Sequence, residues 1–146
     1  MKKGDVVTIH FDMEPRFVKA NDKVIDDKGR LSIERGPLVY CAEWPDNDAD
    51  ISTYLLNAKH QAEMGKAITI LPGHDVQSIT TKAQALSISA DGKLQTRDKT
   101  LTLIPYYAWD HRGQDGGMNV WIPAQVSAAS ATHIKADKQE DNGFFK

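Results

Sequence analysis

The sequence predicts an all-β fold, an antiparallel β-sandwich of jelly-roll or immunoglobulin-like type with few or no helices. Three observations lead there. Seven or eight short segments either alternate apolar and polar residues or run apolar over the length of a strand. Turn signals separate them, among them Gly36-Pro37 and Asp91-Gly92. Only residues 50–67 carry helix-forming residues in number. An open barrel is the structural alternative, and no internal repeat is visible.

The elements follow in chain order. In "GDVVTIHFDM" (4–13), Val7, Ile9, Phe11 and Met13 fall on one face, and Val6, Thr8, His10 and Asp12 on the other. That is the period of two of a half-buried strand. Pro15 interrupts the pattern before "RFVKA" (16–20), and "NDKVIDDKG" (21–29) is a polar turn. "RLSIER" (30–35) alternates through Leu31 and Ile33, and "LVYCAE" (38–43) resumes after Gly36-Pro37. Residues 50–67 fit a short amphipathic helix or a short strand about Tyr54, Leu55 and Ala58 equally well. Further strands are expected at 66–72, 85–89, 100–109 and 116–123, the last with Met118, Val120 and Ile122 on one side. Residues 1–123 then form the sandwich. Residues 124–146 lose periodicity and read as a polar tail or linker.

Composition excludes several function classes. The chain has 146 residues, 40% of them hydrophobic and 26% charged, and a net charge of −2. That is one ordinary globular domain. Without a basic excess there is no electrostatic footprint for nucleic acid. No apolar run reaches the roughly 20 residues that span a bilayer, so no membrane partner is expected. "MKKGDVV" is basic but lacks the apolar stretch of a signal peptide. The single cysteine, Cys41, excludes an internal disulfide and leaves both redox compartments open.

Few residues suggest chemistry. Cys41 lies within "LVYCAE", where it shares a face with Val39; free cysteine is among the most buried residue types, so a core cysteine is the expectation. His10, His60, His74, His111 and His133 are scattered, with no pair at a spacing that shares a helix face, and zinc needs three or four converging ligands. Asp46, Asp48 and Asp50 alternate as calcium ligands do, but the loop lacks the glycine and closing glutamate of such a site. "EWPDNDAD" (43–50) therefore reads as a solvated turn. No metal or other cofactor is expected.

The remaining candidate is "IPYYAWDHRG" (104–113). If alternation continues through Pro105, Tyr107 and Trp109 extend the Leu101/Leu103 face into the core, and Tyr106 points the other way. His111 and Arg112 then lie in a glycine-rich loop. Tyr106, Trp109, His111 and Arg112 are the candidate contacts to a protein interface or to carbohydrate.

These residues carry a resemblance. "GDVVTIHFDMEPRFVKANDKVIDDKGRLSIERGPLVYCAE" followed by "LTLIPYYAWDHRG" and "GGMNVWIP" resembles the C-terminal region of glycoside hydrolase family 127 proteins, the β-L-arabinofuranosidase-like group. The motifs stand in order from residue 4 to about 123 and concentrate outside residues 48–100. The resemblance implies a parent with an N-terminal (α/α)6 barrel that holds the active site, followed by β-sandwich domains. Its nucleophile is implied to be one of a cysteine pair, held with zinc by further cysteines and a glutamate. This chain has no such pair, and Cys41 belongs to "GPLVYC", so no catalytic residue carries over. A chain that opens on a strand directly after "MKK" is what a cut at a domain boundary produces. The implied role is a non-catalytic accessory sandwich whose partner is the catalytic barrel of the same polypeptide. The alternative is a stand-alone carbohydrate-binding module with Tyr106, Trp109, Trp44 or Trp121 as its platform. Family members that degrade plant glycans are often exported, which makes a periplasmic or secreted parent an implication of the resemblance; the residues themselves fix no compartment.

Overall fold

The computed structural model describes residues 2–47, 50–113 and 115–129. Nine strands make the fold: β1 (Pro15–Lys19), β2 (Arg30–Arg35), β3 (Leu38–Glu43), β4 (Tyr54–Leu56), β5 (Glu63–Leu71), β6 (His74–Ile88), β7 (Leu94–Pro105), β8 (Met118–Asn119) and β9 (Ile122–Pro123). They join in one sheet of order β1-β2-β3-β7-β6-β4, with β5 added on β6, β8 on β3 and β9 on β2. Every pairing is antiparallel. The sheet curls into a half-barrel, and the helical pieces are single turns. The all-β antiparallel class is thus the one the sequence predicts. Among the described residues, no helix is long and apolar enough to cross a membrane.

Local chemistry sets the register. Gly36 (φ 55°) and Pro37 form a two-residue connection that leaves Arg35 opposite Leu38. Gly73 (φ 78°) closes a similar hairpin in which Leu71 faces His74. Both turns need a left-handed backbone, which glycine adopts without a Cβ clash. β3 lies at the centre. It pairs with β2 through Ile33↔Tyr40, with β7 through Cys41↔Ile104, and with β8 through Glu43↔Met118.

Alternation along β3 and β7 feeds two cores. Tyr40, Ala42, Leu101 and Leu103 pack with Ile33, Ile51, Tyr54, Leu56, Ile79 and Ile122 inside the curl. Cys41 and Ile104 point the other way and pack with Ile70, Val76 and Ala108. Burying each large side chain contributes about 1.5–3 kcal/mol. The Tyr40 hydroxyl donates to the Gln77 carbonyl at 2.9 Å, so its polar end is satisfied.

The structure corrects several expectations. Residues 4–13 form no strand here: Val6, Val7, Ile9 and Phe11 are exposed, and no ladder includes them. Their pattern has no partner strand within the described residues. In 50–67 the strand alternative holds: a turn at Ile51–Thr53 leads into β4, and β5 begins at Glu63. The strand placed at 85–89 is only the end of the 15-residue β6. The strand placed at 100–109 begins at Leu94 and stops at Pro105, where Tyr106–Ala108 turn as a 3-10 helix. That turn breaks the alternation, so Tyr107 and Trp109 are exposed instead of joining Leu101 and Leu103 in the core. The strand placed at 116–123 is two short pieces, β8 and β9.

Past β9, the Ala124 amide donates to the Gly29 carbonyl at 2.8 Å, and an Arg30 guanidinium nitrogen reaches the Ala128 carbonyl at 3.4 Å. Residues 130–146 of the expected tail lie outside the described residues.

Candidate functional site

The site grows from the ends of β3 and β7. Glu43 closes β3, and Trp44–Asn47 make one helical turn directly after it. Asn47 ties that turn to β7: its side chain donates to the Thr102 carbonyl at 3.0 Å and accepts from the Thr102 amide at 2.8 Å. A side chain thus stands in for a strand residue in the ladder. The Trp44 indole donates to Asn119 Oδ1 at 2.8 Å, and its ring lies so near Gly117 that a Cβ there would stand 2.7 Å from it. Trp44 and Trp121 are both partly buried, so neither offers an open platform.

After β7, the chain reverses through Tyr106–Ala108 and Asp110. Asp110 is left-handed (φ 62°), a conformation that aspartate tolerates better than bulkier residues. The reversal turns Arg112 inward. Its Nη1 donates to Asp46 Oδ1 at 2.8 Å, its Nη2 to Asp46 Oδ2 at 2.7 Å and also to Glu43 Oε1 at 2.9 Å. The three side chains are 14%, 14% and 7% exposed in the order Arg112, Asp46, Glu43. Bidentate, charge-assisted bonds in partial burial are strong and direction-specific. The Asp46 bonds hold the Arg112 guanidinium above its ordinary range, against the opposing effect of burial. This clamp locks the 104–113 loop to the acidic turn.

The clamp corrects the reading of "EWPDNDAD" as a solvated turn: Glu43 and Asp46 are buried or nearly so and ion-paired. Asp50 caps the next turn by accepting from the Ser52 amide at 2.9 Å. Two of the three aspartates weighed as calcium ligands thus have protein partners, and Asp48 lies outside the described residues. Cys41 is fully buried next to the clamp. Burial first, and the carboxylates of Glu43 and Asp46 second, push its thiol up to about 12. It is a neutral core thiol, as the sequence suggested. Among the described residues, no group of three or more His, Cys, Asp or Glu side chains converges as metal ligands.

Of the four candidate contact residues, Tyr106 (47% exposed), Trp109 (37%) and His111 face solvent, while the Arg112 guanidinium faces inward. His111 Nε2 lies 3.1 Å from the Tyr107 carbonyl oxygen. Tyr107, at 64%, is the most exposed aromatic of the loop, and sequence reasoning placed it in the core. Its proximity to Pro105 was the available signal, since a strand often ends where proline withholds a donor. Nothing in the spacing announced the Arg112–Asp46 pair, whose members lie 66 residues apart. Among the described residues, one open groove of about 400 Å³ runs beside β4, β6 and β7 and another of about 470 Å³ beside β1, the 58–62 loop and the start of β5, and no residue of 104–113 lines either.

The curled antiparallel sheet and the clamped loop lie within the residues that match a known domain family. Residues 15–123 match the glycoside hydrolase family 127 C-terminal domain, and the chain belongs to that family. It is 33% identical over 125 residues to the non-reducing end β-L-arabinofuranosidase of Bifidobacterium longum subsp. longum, covering 79% of this chain and 19% of that protein. Among solved structures it is similar to a β-arabinofuranosidase of family GH127, at 52% identity and a TM-score of 0.75, over 86% of this chain and 19% of the other. It is also similar to a GH127 β-L-arabinofuranosidase from Geobacillus stearothermophilus T6, at 27% identity and a TM-score of 0.64, over 76% and 18% of the two chains. The chain therefore spans about a fifth of the length of these relatives.

Proposed function

We propose that this chain is the non-catalytic accessory domain of a glycoside hydrolase acting on arabinofuranoside-type glycans, and that it packs on and stabilises a catalytic (α/α)6 barrel of the same polypeptide. The observation that carries the reading is the loop 104–113. Tyr106, Tyr107 and Trp109 stand exposed, yet their backbone is fixed by a clamp 14% exposed or less. Rigid, exposed aromatics with a polar neighbour are the makings of a docking surface, because little side-chain or loop entropy is lost on contact. Two features support the non-catalytic part. The carboxylates that converge, Glu43 and Asp46, are both taken up by Arg112. The one thiol is buried and neutral, whereas a nucleophilic cysteine needs a thiolate.

The test is hydrolysis of an aryl β-L-arabinofuranoside by the 146-residue chain alone. No release of the aryl group is expected; steady turnover overturns the non-catalytic role. The same exposed aromatics favour a second reading, a carbohydrate-binding module, since sugars stack on such faces. Titration of the chain with arabino-oligosaccharides, followed by tryptophan fluorescence, separates the two: the accessory reading expects no saturable change.

A further inference from the structure

Residues 4–13 are the largest unexplained feature of the molecule. They alternate over a full strand length, yet Val7 (67%), Ile9 (72%) and Phe11 (55%) are open to solvent. Among the described residues, no strand pairs with them. The contacts that anchor the segment among the described residues lie at its C-terminal end. The Arg35 Nε donates to the Met13 carbonyl at 3.0 Å, and the Met13 sulfur occupies the space where a Cβ on Gly36 would stand. The segment also lies outside residues 15–123, the part that matches the family domain.

We propose that residues 4–13 form a β-strand whose partner is the open edge of a β-sheet in a part of the polypeptide outside this chain. The proposal rests on the reading that this chain is one domain of a longer glycosidase. Three arguments choose the occupant. An extended segment carries free amides and carbonyls on both sides, which cannot stay unpaired when its apolar face is buried. A helical surface offers no ladder for them; a sheet edge does. Next, the two faces differ. Val7, Ile9 and Phe11 suit a core, while Thr8, His10 and Asp12 suit water and Val6 is the one apolar residue on their side, so the receiving sheet has one buried and one largely solvated face. Finally, about four fifths of the length of the relatives lies outside the part this chain covers, which leaves ample chain to supply such a sheet. The strand then couples two domains: a ladder on one side of Met13 and β1 on the other, with no flexible linker between.

The test is amide hydrogen exchange on the 146-residue chain and on the longer polypeptide that contains it. Amides of residues 6–13 should exchange at unprotected rates in the chain, and at least about a hundredfold more slowly in the longer protein. Fast exchange in both overturns the proposal. So does slow exchange in the chain alone, and if that protection grows with protein concentration the partner is a second copy. Ile9→Pro supplies an independent check, because proline removes a ladder donor. It should lower the melting temperature of the longer polypeptide and leave that of the 146-residue chain unchanged; an equal fall in both, or none in either, overturns the proposal. Failure of the docking reading is separately visible. Protection of 6–13 without any new protection across 106–112 removes the docked loop and keeps the strand.

Discussion

Residues 4–13 and 30–35 show the same alternation and meet different fates. In β2, Ile33 is fully buried and pairs across to Phe17 and Tyr40. In the first segment, Ile9 occupies an equivalent place in the pattern and is 72% exposed. Periodicity therefore reports what a segment needs, a partner edge and a core, and not where they are. β2 finds both within this chain. Among the described residues the first segment finds neither, which is the state expected of a strand completed from elsewhere.

The largest effect that could sharpen this contrast is at the clamp, which holds the exposed loop in place. Arg112→Ala leaves two near-buried carboxylates without their cation and should cost about 3–5 kcal/mol, read by urea denaturation. A cost below about 1 kcal/mol would mean that the loop is not held by these bonds. Next, Ile33→Ala should cost about 2–5 kcal/mol in this chain, as large-to-small changes in a core do. The matching Ile9→Ala should stay within about 0.5 kcal/mol, as exposed sites do. Similar losses at both positions would mean that residues 4–13 already pack within this chain.

Cys41 gives a smaller, pH-dependent effect. Its thiol is raised from 9.0 to about 12 in the folded state. Below pH 9 both states hold the proton and nothing is lost. From about 9 to about 12 only the unfolded state ionises, so stability falls by about 1.4 kcal/mol per pH unit from this group. Denaturation curves of the parent chain and Cys41→Ala should therefore converge or cross as pH rises through that window. The smallest effect is expected at Arg16, whose 2.6 Å pair with Glu34 is 49% and 29% exposed. Arg16→Ala should cost about 0–1 kcal/mol and matter less at high salt.

Much of the fold was legible because Leu31 and Ile33 in β2 and Leu101 and Leu103 in β7 alternate, and because β3 is an apolar run buried on both sides at Tyr40, Cys41 and Ala42. The start of β6 was not. Its buried positions include Ser78, Thr81 and Ala83, which are small or polar and satisfied locally, Ser78 Oγ by the Lys66 carbonyl at 2.5 Å and Thr81 Oγ1 by the Gln61 carbonyl at 3.2 Å. Such residues give no hydrophobic signal. The site was legible in type and not in arrangement. "IPYYAWDHRG" announced an aromatic cluster beside a turn, but the 3-10 turn after Pro105 decided which aromatics face out. The pairing of Arg112 with Glu43 and Asp46 depends on β3 and β7 lying side by side, a long-range fact that local pattern does not hold.

The proposal for the clamped aromatic loop is that it docks on the rest of the polypeptide. Its most direct measurement is thermal unfolding of the double variant Tyr107→Ser/Trp109→Ser, made both in the 146-residue chain and in the longer polypeptide. A small fall is expected for the chain alone, where Tyr107 is 64% and Trp109 37% exposed, and a midpoint lowered by several degrees more in the longer protein. An equal change in both proteins, or none in either, would overturn the docking.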